Sequence, residues 1–281
     1  MSMQLRIVHT TQFEYDGKAV ASRNQARLTP QTMPGQIVVH RRIQVSPSPW
    51  TYEYRDYFGN EVTAFEVLDP HESMTVSASS TVHVLRSPAA DPLLGWADLA
   101  APEVADRWTE YLALPPSVVP PEDLADLVRA IGADAPLPGQ AARAVCALIH
   151  RDVEYQTGST AVETVAAEAW RQRAGVCQDM AHLAIGGLRT LGIPARYVSG
   201  YLHPKSEAPV GETFAGESHA WVEWWDDGWH PFDPTNDREP GDRWVVVATG
   251  RDYGDVKPLS GIYSGAGTSA MTVQVDVTRL A

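Results

Sequence analysis

A cysteine stands at the start of a helical pattern in the second half of the chain. Cys177 follows a glycine at position 175, and apolar residues then recur at helical spacing until the stop signals Gly192 and Pro194. The unpaired N–H groups and positive dipole of a helix N-terminus stabilise a thiolate, which is the nucleophilic form of cysteine. Cys177 is therefore a candidate nucleophile. The alternative is a small buried core residue, which is the commoner role of a free cysteine.

The histidine that could serve this thiolate lies in a predicted β-hairpin. The strand pattern of residues 218–225 is followed by Asp226-Asp227-Gly228, which suits a three-residue loop with Gly228 in the left-handed conformation. With that loop, Asp233 on the second strand lies diagonally across from His219 on the same face. Side chains at such positions can meet, so the hairpin predicts that Asp233 holds the imidazole of His219.

Cys177, His219 and Asp233 together supply the three roles of a thiol active site. These are a nucleophile, a general acid and base, and a group that orients that base. Taken separately, each residue has an ordinary structural explanation, such as a strand histidine with satisfied hydrogen bonds or an Asx turn at Asp233. Their joint placement favours catalysis over three unrelated structural roles.

Two aromatic residues are candidates for substrate contacts. Trp221 lies on the same strand face as His219, where it could line an apolar slot for an acyl side chain. Tyr155 could assist an oxyanion site, although nothing in the sequence fixes its position. For most of the tryptophans a core position is the commoner role. The second cysteine, Cys146, lies in an apolar segment, and we predict that it is inert core.

The sequence does not predict a metal site. Cys177, His182, His203, His219 and His230 are available as ligands, but none has the close paired spacing of Cys-x-x-Cys or His-x-x-x-His. We therefore expect neither a metal nor a cofactor.

The elements that must position these residues indicate an α+β fold. Residues 1–87 alternate in strand fashion between turn residues, which is typical of an antiparallel β-sandwich. Residues 88–138 form a proline-rich, partly helical connector. In residues 139–258 helical patterns come first and strands follow, which is an α+β layout. Residues 259–281 contain a last alternating strand that could return to the N-terminal sheet.

The composition is that of a soluble globular protein. The 281 residues are 44% hydrophobic and 20% charged, with a formal net charge of −13. This acidic balance, without a basic run, argues against a nucleic-acid surface. No apolar segment approaches the roughly 20 residues that span a membrane, and the N-terminus lacks a signal-peptide profile. We predict a cytoplasmic protein with reduced cysteines that binds neither nucleic acid nor membranes.

Five motifs resemble the transglutaminase-like superfamily, specifically its bacterial members with a β-rich N-terminal region. They are residues 175–183, 192–201, 218–223, 233–236 and 250–253. The resemblance implies a papain-like core in which Cys177 is the nucleophile, His219 the general acid and base, and Asp233 its orienting group. The calcium regulation of animal transglutaminases does not carry over, because the sequence has no recognisable calcium loop.

The expected reaction is acyl transfer from a protein or peptide substrate. The Cys177 thiolate attacks a carboxamide or peptide carbonyl, its own backbone N–H contacts the oxyanion, and His219 protonates the departing ammonia or amine. The thioester then reacts with a primary amine in a transglutaminase, or with water in a peptidase or deamidase. An alternative of another class is a non-catalytic peptide-binding module, against which the three intact groups argue.

Overall fold

The computed structural model describes residues 2–86, 94–265 and 267–281. The chain begins with five strands, β1 (Met3–Ala26), β2 (Gln36–Ser46), β3 (Trp50–Arg55), β4 (Glu61–Val67) and β5 (His71–Val84). A mainly helical part follows, with α1 (Trp96–Leu99), α2 (Pro102–Arg107), α3 (Thr109–Leu112), α4 (Glu122–Asp134), α5 (Pro138–Asp152), β6 (Glu154–Tyr155), α6 (Ala166–Gln172), β7 (Ala174–Gly175) and α7 (Cys177–Thr190). The last part is β8 (Ala195–Leu202), β9 (Thr213–Gly216), β10 (Ser218–Trp225), β11 (Trp229–Phe232), β12 (Trp244–Gly250), α8 (Tyr253–Val256), β13 (Leu259–Gly265) and β14 (Ser269–Arg279).

Strand β1 runs through the whole N-terminal sheet. Its first half pairs with β5 and β14, and its second half pairs with β4 and β13, always antiparallel. The change of partners coincides with an irregularity between Glu14 and Ala19 in the pairing with β5. With β2, β3 and β9 added at the periphery, β1 joins eight strands into one hydrogen-bonded sheet.

The two halves of this sheet share a small hydrophobic core. Phe65 and Val67 of β4 pack with Met74 and Val76 of β5, and Ile43 of β2 packs against them. Each of these strands contributes alternate side chains because successive residues point to opposite faces. The predicted antiparallel β-structure of the N-terminal region is confirmed. The strands belong to one continuous eight-stranded sheet, rather than to the two separate sheets that a sandwich would have.

Helix α7 is the centre of the second half of the molecule. Every residue from Asp179 to Arg189 is buried, and the helix packs against α4, α5, α6 and a four-stranded antiparallel sheet in the order β11-β10-β8-β12. Gly186 is required for this packing, because a β-carbon there would collide with the carbonyl group of Val118 in the connector. The predicted helix is confirmed, and Gly192 at its end has the expected left-handed conformation, with φ of 75°.

The proline-rich connector is partly helical, as its sequence predicts. Residues 88–93, with which it begins, lie outside the described residues, and α1 to α4 follow. Pro121 caps the start of α4, in agreement with the predicted Pro and acidic start signal. Leu124 and Val128 of α4 are fully buried in the same cluster as α5 and α7. None of the helices in the described part of the chain is long and apolar enough to cross a membrane.

Strands β9 and β14 connect the two halves of the molecule. Strand β14, which the sequence predicts as a strand returning to the N-terminal sheet, pairs with β1 over its full length, and β9 pairs with the other side of β14. Only Glu217 separates β9 from β10. The chain therefore leaves the N-terminal sheet at Gly216 and enters the four-stranded sheet at Ser218, next to His219.

Candidate active site

Cys177 is the first residue of α7 and is partly exposed. The preceding turn is fixed by Asp179, whose Oδ2 atom accepts hydrogen bonds from the N–H of Val176 at 2.8 Å and from the hydroxyl of Thr160 at 2.6 Å. Gly175 permits this turn, because a β-carbon there would lie 2.8 Å from the Asp179 side chain. The thiol is thus presented at a helix N-terminus, where the first N–H groups have no acceptor within the helix.

His219 reaches the same place from the four-stranded sheet. It is the second residue of β10, and its side chain is largely buried. The imidazole interacts with Cys177, which is one of the groups that raise its pKa, and its Nε2 atom lies 2.7 Å from Oδ2 of Asp233. Cys177 and His219 both line a cavity of about 370 Å³. The structure therefore brings together the three residues that the sequence singles out.

Asp233 is fully buried and accepts five hydrogen bonds. Its Oδ2 atom accepts from His219, from the indole N–H of Trp244 at 2.9 Å and from the side-chain amide of Asn236 at 2.8 Å. Its Oδ1 atom accepts from the backbone N–H groups of Thr235 and Asn236 at 2.9 and 3.2 Å. Burial raises the pKa of this carboxyl, but the donors outweigh burial, and the pKa lies below its usual value.

The charge of His219 follows from these contacts. Burial lowers the pKa of the imidazole, but the interactions with Asp233 and Cys177 have the larger combined effect and raise it to about 10. The ring is therefore a cation at neutral pH. An imidazolium next to a cysteine at a helix N-terminus supplies the proton donor and the nucleophile that thiol catalysis uses. The arrangement can thus form an ion pair able to attack a carbonyl carbon and to protonate a leaving group.

The hairpin that joins His219 to Asp233 has the predicted register. Trp225 pairs with Trp229 across a three-residue loop. The left-handed residue of this loop is Asp227, with φ of 58°, rather than Gly228 as the sequence predicts. Aspartate tolerates this conformation because its short polar side chain can form local hydrogen bonds. The number of loop residues, which was predicted correctly, sets the register.

Tyr155 lies beside the nucleophile. Its side chain is 44% exposed and lines the cavity of Cys177 together with a neighbouring cavity of about 440 Å³. Burial raises the pKa of its phenol, and electrostatic interactions with Cys177 and Glu217 raise it further. Tyr155 can therefore contact a molecule bound at Cys177, and its substrate-binding role stays a prediction.

The slot-lining role predicted for Trp221 needs correction. Trp221 lies on the strand face of His219, as predicted, but its side chain is completely buried. It packs with Val198, Trp244 and Val246, and Met33 from the N-terminal region packs against this cluster. A substrate cannot reach the ring, so Trp221 is a core residue, with its ring 6.1 Å from that of His219.

Other predicted features can be located in the structure. Cys146 is fully buried in α5, as predicted, and burial raises the pKa of its thiol. Within residues 2–86, 94–265 and 267–281, no three His, Cys, Asp or Glu side chains are grouped to hold a metal ion.

The sequence does not reveal that Trp244 donates to Asp233, because the contact depends on the pairing of distant strands. The donation from Asn236 has a local signal, since Asn236 belongs to the Asx turn.

Comparisons with known proteins agree with this architecture. Residues 5–83 match the bacterial transglutaminase-like N-terminal region, and residues 125–234 match the transglutaminase-like superfamily. An uncharacterised protein of Mycobacterium leprae is 42% identical over 281 residues, which cover 99% of each chain. An uncharacterised protein of Mycobacterium tuberculosis is 34% identical over 97% of this chain and 91% of its own.

A solved structure shows the same fold. It is that of a candidate cysteine protease from Cytophaga hutchinsonii, which aligns with 100% of this chain and 92% of its own with a TM-score of 0.79 and 22% identity. The match extends over both the N-terminal sheet and the helical and four-stranded part. In agreement with the motifs in its sequence, the chain belongs to the transglutaminase-like superfamily and carries a bacterial transglutaminase-like N-terminal region.

Proposed function

We propose that the protein is a thiol enzyme that transfers or hydrolyses acyl groups at glutamine carboxamides or peptide bonds, with Cys177, His219 and Asp233 as its catalytic groups. The observation that carries this proposal is that Cys177 and His219 line one cavity, while the imidazole of His219 bonds to the buried carboxylate of Asp233. Membership of the transglutaminase-like superfamily supports a thiol-dependent activity.

The proposed reaction has two steps. The Cys177 thiolate attacks the carbonyl carbon, and the carbonyl oxygen becomes an oxyanion near the N–H of Cys177. The imidazolium of His219 gives its proton to the departing ammonia or amine as the carbon–nitrogen bond breaks, which leaves a thioester and a neutral imidazole. His219 then takes a proton from the acceptor as the acceptor attacks the thioester. Asp233 orients the ring and stabilises its cation in both steps.

The acceptor determines the class of the reaction. A primary amine gives a transglutaminase product, whereas water gives peptide cleavage or deamidation. Both outcomes use the same three groups, so we include both in the proposal. The substrate we expect is a protein or peptide in the cytoplasm, a location that cell fractionation would test.

Reduced, unfolded casein, with and without a fluorescent primary amine, tests the proposed activity. We expect cleavage, deamidation or amine incorporation, and we expect Cys177→Ala to abolish every product because the nucleophile is lost. Cys146→Ala is the matched control and should keep the activity, because its thiol is buried in α5. The products are measured by mass spectrometry and by fluorescence of the protein.

Alkylation of the two cysteines tests the mechanism without a substrate. Iodoacetamide should modify Cys177 of the native protein far faster than Cys146, and His219→Ala should slow the reaction at Cys177. If none of the three casein products forms and both cysteines are equally inert, the thiol mechanism is wrong and a peptide-binding module becomes the better interpretation.

A further inference from the structure

Strand β14 has an open edge near the candidate active site. Strand β9 covers one side of β14 only from Val275 to Thr278, where the pairing with Gly216 to Thr213 ends. Residues 269–274 are paired with β1 on one side, and no strand among the described residues pairs with them on the other. All six are exposed. At about 3.4 Å per residue, this edge is about 20 Å long.

Hydrogen bonds near the ends of β14 show which backbone groups face the open edge. The carbonyl group of Thr268 and the N–H of Leu280 bond to β1, whereas the carbonyl group of Arg279 accepts a bond from the side of β9. Because the direction of these groups alternates along a strand, even-numbered residues of β14 bond to β1 and odd-numbered residues face away from it. Met271 and Val273 therefore direct their N–H and C=O groups towards the open edge.

This open edge leads into the cavity of the nucleophile. Val273 and Val275 line that cavity together with Cys177 and His219. Met271 and Val273 are 60% and 47% exposed, whereas Val275 is buried. The apolar side chains of Met271, Val273 and Val275 thus run along β14 from the exposed segment to the buried one. A chain segment paired with Val273 would therefore lie at the border of the cavity that Cys177 lines.

The open segment lacks the features that usually protect strand edges. Proteins discourage edge pairing with lysine, proline, inward-pointing charges or β-bulges. The residues Ser-Ala-Met-Thr-Val-Gln at positions 269–274 include no charge and no proline, and their pairing with β1 has no register shift. Backbone groups of this kind bind extended peptides by strand addition, with affinity from the main chain.

We propose that Met271 and Val273 bind an extended segment of the peptide substrate as an added strand that continues the line of β9. This inference rests on the proposed function and extends it, because it makes the N-terminal sheet a substrate-binding part of the enzyme. A substrate peptide is the occupant because the open edge is continuous with the cavity of Cys177. The main-chain pairing selects extended or unfolded segments and tolerates many sequences.

Binding of fluorescein-labelled, unfolded casein to Cys177→Ala tests this site. Adding Val273→Pro removes the N–H that faces the open edge and leaves the bonds to β1 in place, whereas Val273→Ala keeps that N–H. We expect the proline variant to weaken binding about tenfold and the alanine variant by at most about threefold. Equal affinities of the two variants, or no binding of casein to Cys177→Ala, would overturn the proposal.

Hydrogen exchange provides a second measurement with an unaltered strand. Casein bound to Cys177→Ala should slow exchange at the amides of Met271 and Val273 about tenfold, and it should leave Thr272 unchanged because Thr272 already bonds to β1. Protection that rises with protein concentration in the absence of casein would assign the edge to a second copy of the chain and overturn the proposal. Casein turnover by the wild-type enzyme is measured separately, so a failed proposed function and a failed binding site are distinguishable.

Discussion

At the scale of single residues, the donors around Asp233 control the charge of His219. The indole of Trp244 is one of these donors, and it comes from β12 rather than from the hairpin. Each donor stabilises the carboxylate, and the carboxylate in turn stabilises the imidazolium. Trp244 is thus a positioning residue that acts through Asp233.

Replacing Trp244 by phenylalanine should weaken this pair while keeping most of the ring. Asp233 loses the bond of 2.9 Å, so the pKa of Asp233 should rise and the pKa of His219 should fall below about 10. We expect kcat/KM on casein to decrease about tenfold, the size expected for one hydrogen bond to a charged group. The titration of His219 is followed by NMR.

Trp221→Phe is the matched control for this experiment. Trp221 is buried in the same cluster as Trp244, and its indole N–H has no hydrogen-bond partner among the described residues. This variant should therefore leave the titration of His219 unchanged. The same result in Trp244→Phe would show that Trp244 is only a packing residue.

Local rules explain why much of the site could be predicted from the sequence. Helix start signals located Cys177, and loop length with strand alternation placed Asp233 opposite His219. The error at Trp221 has a long-range cause, because the cover over that strand face includes Met33, about 190 residues earlier in the chain. Trp244 was missed for the same reason.

At the scale of elements, two side-chain amides cover one edge of the four-stranded sheet, the edge formed by β12. Gln36 donates to the carbonyl group of Val246 and accepts from its N–H, both at 2.8 Å. Asn60 forms the same pair of bonds with Thr249, at 2.9 and 2.8 Å. Each amide thus bonds to β12 in the same way as a residue of a neighbouring strand would. The N-terminal region therefore holds β12, the strand that carries Trp244.

Replacing Gln36 by leucine should destabilise the protein by about 2–4 kcal/mol. The N–H and C=O groups of Val246 would stay buried without their partners, and each unpaired group costs about 1–3 kcal/mol. The free energy of unfolding in urea is the measurement. Gln44→Leu is the control, because Gln44 is an exposed residue on the same strand, and it should change stability by less than about 0.5 kcal/mol. Equal stability of both variants would contradict a role of the amide in holding β12.

The sequence predicts the elements of the N-terminal sheet better than their partners. Alternation shows which side chains of a strand share a face, but it carries no information on which strand lies beside it. The pairing of Leu5 with Arg279 joins nearly opposite ends of the chain. That β1 is one strand of 24 residues that serves both halves could not be derived from local patterns.

At the scale of the whole molecule, buried histidines make stability depend on pH. His9 of β1 hydrogen-bonds to the hydroxyl of Tyr201 on β8 at 2.9 Å, and His182 of α7 accepts from the N–H of Tyr253 at 3.1 Å. Burial lowers the pKa of each imidazole to about 4. His219 is shifted in the opposite direction, to about 10.

These opposite pKa shifts affect the free energy of unfolding in two different pH ranges. Between pH 6.5 and about 4 the unfolded chain binds protons that His9 and His182 do not bind in the folded state, so stability is lost as the pH falls through this range. Each histidine can contribute up to about 3 kcal/mol. The raised pKa of His219 adds stability that is fully present below pH 6.5 and is lost as the pH rises towards about 10.

The variant His9→Gln tests the contribution of His9 to the loss of stability at acid pH, because glutamine can hydrogen-bond to Tyr201 and does not titrate. Unfolding in urea at pH 7 and pH 4.5 should show a smaller loss of stability in this variant than in the wild-type protein. His83→Gln, at an exposed position of β5, should keep the wild-type loss. An equal loss in all three proteins would mean that the contact between the N-terminal sheet and β8 does not depend on a neutral His9. The smaller loss would show that protonation of this one imidazole weakens the packing between the two halves of the molecule.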